Sequence, residues 1–161
     1  MCEIHPECDG PDGMIGHALE HIGRGSWGII GVLGDRYTEP FAYTTGLTSL
    51  GHAELAITGV EPEGAAHILN VVAEHTLHDD DIGIGSQMLV DSFDAHPLHL
   101  LEVRDVWPLI VCRAIYSEFE AMQVVWSDHD GRFPWHGEYA YEPSRQPLLG
   151  PPPRHGRGAA A

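Results

Sequence analysis

Tyr43, Thr44, Thr45 and Gly46 form a polar block at the end of an apolar stretch, with His52 and Glu54 a short distance beyond it. Hydroxyls at a strand end are suited to hold a small ligand, and a glycine there lets a ligand or a backbone approach closely. Glu54 is the one evident general base of this group, with His52 second. The competing reading is structural, since Thr and Tyr favour strands and Gly46 makes a turn. A second group, Trp126, Asp128, Arg132 and Trp135, surrounds the turn Asp128–Gly131. Two indole rings with an Asp and an Arg make an aromatic-walled site for a planar or cationic ligand. The same residues also suit a rigid hairpin in which Asp128 bonds the turn backbone.

Metal chemistry has four candidate sources. Cys2, His5 and Cys8 are soft ligands close together, able to hold zinc with His17 as a fourth, although zinc favours a shorter Cys–Cys spacing. His17, Glu20 and His21 match the inverted zinc-protease pattern, but the apolar periodicity puts them on a solvated helix face with no third ligand in view. His75, His78 and the run Asp79 to Asp81 offer a cation site at a helix end. Asp128, Asp130 and Gly131 imitate part of a calcium loop, but Glu138 misses the twelfth position by one, and that reading is rejected. Gly23, Gly25 and Gly28 match a dinucleotide fingerprint in the wrong setting, after a helix and before a strand.

The elements that must position these residues can be read from periodicity. Met14, Ile15, Ala18, Leu19 and Ile22 recur at helical spacing over 12–23. Strands are expected over 26–33, 41–45 and 54–58, then a helix that opens at Glu61-Pro62-Glu63 and ends near Asp79. Two more strands follow over 87–90 and 98–103. A third helix is expected from a cap at Asp105 through Pro108 to Phe119, and a last strand over 122–126. The order predicts a single α+β domain over 12–150, a mainly antiparallel or mixed sheet with three helices packed on it. Residues 1–11 read as an N-terminal arm and 151–161 as a disordered Pro/Gly/Arg tail.

Charge narrows the partners. The 161-residue chain carries a formal net charge of −16 from 24 acids against eight arginines and no lysine. A phosphate backbone needs a basic surface, so nucleic acid is not an expected partner, whereas a basic protein surface or a cationic or neutral small ligand suits the field. Without an apolar run of membrane-spanning length or a leader-like opening, a soluble cytoplasmic protein is expected. Cys112 lies in an apolar stretch and reads as a core residue.

Three blocks taken together carry a resemblance: Pro40-Phe41-Ala42-Tyr43-Thr44-Thr45-Gly46-Leu47, Gln123-Val124-Val125-Trp126-Ser127-Asp128, and Gly131-Arg132-Phe133-Pro134-Trp135. Gly25-Ser26-Trp27-Gly28, Ala53-Glu54-Leu55 and Gln146-Pro147-Leu148-Leu149-Gly150 support them. In order and spacing the set resembles the bacterial family known as domain of unknown function 4262, over roughly residues 12–150. Ala53 and Ser127 stand where the family pattern usually has proline. The resemblance implies a fold and a pocket but no reaction. Two functions remain open: an acidic binding or interaction protein, monomeric or oligomeric, and a small enzyme or ligand binder with a pocket built from the two polar groups above.

Overall fold

The computed structural model describes residues 10–90 and 96–154. Its elements run α1 (Gly10–Gly23), β1 (Gly28–Val32), β2 (Phe41–Thr45), β3 (Glu54–Thr58), α2 (Pro62–His78), β4 (Gln87–Leu89), β5 (Pro97–Glu102), α3 (Ile110–Ile115) and β6 (Ala121–Trp126). Short 3₁₀ turns sit at Thr48–Leu50 and Pro143–Arg145. One six-stranded sheet has the order β1-β2-β3-β6-β5-β4. Every neighbouring pair is antiparallel except β3 with β6, which makes the sheet mixed, as the α+β reading expects. The parallel pair lies at the centre, and the long crossover that a parallel neighbour needs is supplied by everything from α2 to α3. Among the described residues no helix is long and apolar enough to cross a membrane.

Both central strands are buried along their whole length, which accounts for their near-continuous apolar sequence. On one face α2 lays Ile68, Leu69, Val72 and Ala73 against Leu55, Ile57, Leu100 and Val124. Glu61 caps α2 without a side-chain hydrogen bond. A missing cap costs about 1 kcal/mol, little beside the roughly 1.5–3 kcal/mol from each large apolar side chain buried. The opposite face packs Tyr43, Ala56 and Ala121 against Leu109, Val111 and Cys112 of the α3 region and Ala18 of α1.

Two expectations shift. Leu19 stands 51% exposed while His17 and His21 are half-buried. The His21 ring lies against Gly28, where a Cβ would meet it at 2.8 Å. The third helix spans only Ile110–Ile115, because Asp105 accepts from the Trp107 N–H (3.1 Å) and caps a turn ahead of Pro108, and Tyr116 is already extended.

After Pro143–Arg145 the chain crosses the α3-side face as a strap held by two buried glutamines. Gln146 pairs with Trp126 as a neighbouring strand would, accepting from its N–H (2.8 Å) and donating to its carbonyl (2.9 Å). Gln123 donates to Thr58 Oγ1 (3.0 Å) and the Pro147 carbonyl (2.9 Å), and accepts from the Leu149 N–H (2.7 Å). Gly59, with φ of 76°, and Gly150 leave room where a Cβ would strike the Arg145 and Glu102 carbonyls. Residues 151–154 continue against β5. Gln123→Leu keeps the volume but strands the Leu149 N–H, and we expect a loss of about 2–4 kcal/mol. Urea unfolding measures it; a change below about 0.5 kcal/mol would contradict the strap's dependence on this amide.

Candidate functional site

Glu54 opens β3 with no exposure to solvent, opposite the end of β2. Its carboxylate accepts five hydrogen bonds. Oε1 takes the Gly46 N–H (2.9 Å), the Thr48 N–H (3.1 Å) and the Thr48 hydroxyl (3.0 Å). Oε2 takes the Thr44 hydroxyl (2.6 Å) and the Leu47 N–H (3.3 Å). Thr44 Oγ1 in turn accepts from the Leu55 N–H at 2.8 Å, so its donor and an acceptor position are both in use. The turn is possible because Gly46 adopts φ of 125° and lies against Ser26 and Trp27, where a Cβ would come within 2.6 Å of the Ser26 carbonyl oxygen.

Around this carboxylate the reactive groups are neutral. The Tyr43 hydroxyl accepts from the Val111 N–H (3.1 Å), and burial pushes its phenol up to about 12. Cys112 donates to the Thr44 carbonyl at 3.3 Å, and its thiol is driven well above the ordinary range by burial and then by the charge of Glu54. A thiol so held is no nucleophile near neutral pH. Tyr116, also raised by burial, shares a 3.4 Å hydrogen bond with Ser49. His52 stands aside, half-buried, on two shallow clefts of 250 and 340 Å³ that Gly51 and Glu120 also line.

The second group of candidates sits at the other end of the sheet. The parallel register sets Glu54 opposite Ala121, which leaves Trp126 five residues further along β6, a separation of about 17 Å at the usual rise. Tyr43, Thr44, Gly46 and Glu54 are thus brought together, and so are Trp126, Asp128, Arg132 and Trp135, but the two groups share no pocket. Trp126 donates from Nε1 to the Thr58 carbonyl at 2.9 Å. Asp128 is 1% exposed and accepts from the N–H groups of Asp130, Arg132 and Ala140, each at 2.9 Å. Arg132 turns outward to Asp130 (3.3 Å) and Glu138 (3.4 Å). Trp135 stacks on Phe133 with centroids 5.0 Å apart.

Two larger cavities lie elsewhere among the described residues. One of 580 Å³ opens between Val32–Phe41 and the strap, against Pro108 and Leu149, and one of 410 Å³ lies between β5 and Pro151–Arg154. None of the ten residues of the two polar groups lines either. Cys2, His5 and Cys8 lie outside the described residues; among those described, no three His, Cys, Asp or Glu side chains gather as a metal site. The sequence marks Gln123 and Gln146 only as parts of family blocks and leaves His99 out, although a lone polar residue inside each of the apolar runs 121–126 and 97–101 is a visible signal.

A family model described as a domain of unknown function, DUF4262, matches residues 21–140. The chain belongs to this family. The matched span holds both carboxylate-centred turns and ends before the strap. Comparison with curated proteins and with solved structures gave no match.

Burial is the largest single influence on Asp128 and opposes ionisation, but its three backbone donors and the Arg132 charge outweigh it, so the carboxyl sits below its ordinary value. Stability from such a group is complete above the unfolded value of about 3.9 and is lost as pH falls through the folded one. Asp128→Asn should therefore lower stability at neutral pH and flatten the acid loss below about pH 4. Asp35, lowered by its Tyr37 and Thr38 backbone donors, keeps its own share of that loss. Urea midpoints across this range check it; parallel profiles for the two proteins would contradict it.

Proposed function

We propose that the chain is a soluble cytoplasmic binding protein that docks a basic protein surface, and that it acts by this contact and not by catalysis. The observation that carries the reading is the outward side of α2. Glu61, Glu63 and Glu74 lie exposed along it, Asp79, Asp80 and Asp81 follow at its C-terminus, and the segment contains no Lys or Arg. Three acids at a helix C-terminus oppose the helix dipole. A partner's Arg or Lys placed there relieves both this opposition and the mutual repulsion of the acids. The hydrogen bonding of Glu54 and Asp128 supports the same reading, since acceptors filled by backbone donors are not poised to take a proton from a substrate.

A second reading, a small-molecule binder or small enzyme, is favoured by the 580 Å³ cavity walled by Val32, Leu33, Tyr37, Phe41 and Leu149. As a binder the chain would then use residues other than the Tyr43–Gly46 and Trp126–Trp135 groups.

The docking surface is tested with a fluorescent oligo-arginine peptide, followed by anisotropy at low salt. Combined Glu63→Gln, Glu74→Gln and Asp80→Asn should weaken binding roughly tenfold, whereas Glu20→Gln, Glu39→Gln and Glu118→Gln, an equal change in charge elsewhere, should weaken it no more than about twofold. Equal weakening by both sets would mean a diffuse field with no docking surface.

A further inference from the structure

His99 is 93% removed from solvent, being 7% exposed, in the middle of β5. Phe133 and Trp135 meet its ring edge-on, with centroids 5.6 and 5.1 Å away. These contacts fix the plane of the imidazole but give its nitrogens no partner, and Nδ1 is buried without a hydrogen bond among the described residues. A buried, unpaired polar atom is costly and calls for a physical explanation. Burial also keeps the imidazole below its ordinary value, so near pH 7 the ring is neutral and offers one donor and one acceptor.

His99 is one of the residues lining the 410 Å³ cavity, within the range of about 300–1,000 Å³ typical of small-molecule sites. Its walls are Ile84, Leu101 and the flat faces of Pro151, Pro152 and Pro153. Arg104, Arg154 and Glu102 also line it. Glu102 is already engaged by Arg104 at 3.2 Å, whereas Arg154 has no carboxylate partner among the described residues. In a chain with 24 acids and eight arginines, two guanidinium-bearing residues on one cavity make it a local exception to the overall field.

We propose that this cavity binds a small organic anion, a planar apolar body carrying a carboxylate, with the carboxylate at Arg104 and Arg154 and the flat body between His99 and the prolines. A guanidinium offers a planar fork that matches a carboxylate. The proline walls suit a flat ring and would be left unfilled by a small inorganic anion. A cation meets two arginines and a carboxylate already paired. No residue of α2 lines the cavity, so the site stands independently of the basic-partner reading.

The test uses the full chain, labelled with ¹⁵N and ¹³C, titrated with benzoate while the His99 ring and the arginine Nε–H resonances are followed. Benzyl alcohol, benzylamine and inorganic phosphate are titrated in parallel. Benzoate should shift the His99, Arg104 and Arg154 signals saturably, and the three comparison compounds should bind at least roughly tenfold more weakly. Arg154→Ala, an exposed change that leaves the core intact, should weaken benzoate roughly tenfold and leave the thermal midpoint of the ligand-free protein unchanged. Benzyl alcohol binding as well as benzoate would overturn the role of the arginines. Phosphate binding as well as benzoate would overturn the apolar part of the ligand, and no shift with benzoate would overturn the site.

Discussion

A buried carboxylate at the head of β3 sets the conditions for one end of this molecule. Glu54 has no exposure to solvent and gathers three backbone N–H groups and two hydroxyls from residues 44–48. Removing a charge from water costs several kcal/mol even after relaxation, and only a full set of donors makes it tolerable. The donors lie on a tight turn that Gly46 alone permits at φ of 125°. Carboxylate, turn and glycine therefore require one another. The same charge, with burial, keeps the neighbouring Cys112 thiol protonated, so the hub that organises this end also removes its most reactive side chain from chemistry.

The other end repeats the device in a second form. Asp128 closes its turn by accepting three backbone N–H groups, while Gln123 and Gln146 fasten the strap across the sheet through side-chain amides that imitate backbone pairing. Polar side chains in this fold mostly replace missing backbone partners. On the proposed reading the function belongs to surfaces and cavities, where the acidic side of α2 and the His99 cavity are distinct features.

Much of the architecture was legible because strong periodicity and turn chemistry agreed. The strands at 41–45 and 54–58 lie where alternation and flanking turns put them, and Pro62 begins α2 as a proline at a first helical position should. Local sequence overextends the third helix, because Asp105 is as good a cap for a turn as for a helix. Leu19 was assigned inward by its spacing, yet α1 packs only at the sheet's margin and buries a narrow stripe. The candidate residues fall into two groups, one at each end of the sheet. Their separation into two turns was hidden, because the parallel pairing of β3 with β6 is a long-range fact that no local pattern carries. Gln146 gave a weaker signal still, its importance depending on a neighbour, Trp126, twenty residues away.

Native-state hydrogen exchange is the most direct test of the claim that Glu54 is an organising group. Loop amides normally exchange fast, because a small local opening exposes them. If the carboxylate holds the turn, the amides of Gly46 and Thr48 should exchange as slowly as Leu55 and Ile57 within β3, at rates set by global unfolding. Exchange of Gly46 and Thr48 at the rate of the exposed Asp80 and Asp81 would show a turn that opens freely, and would contradict the account.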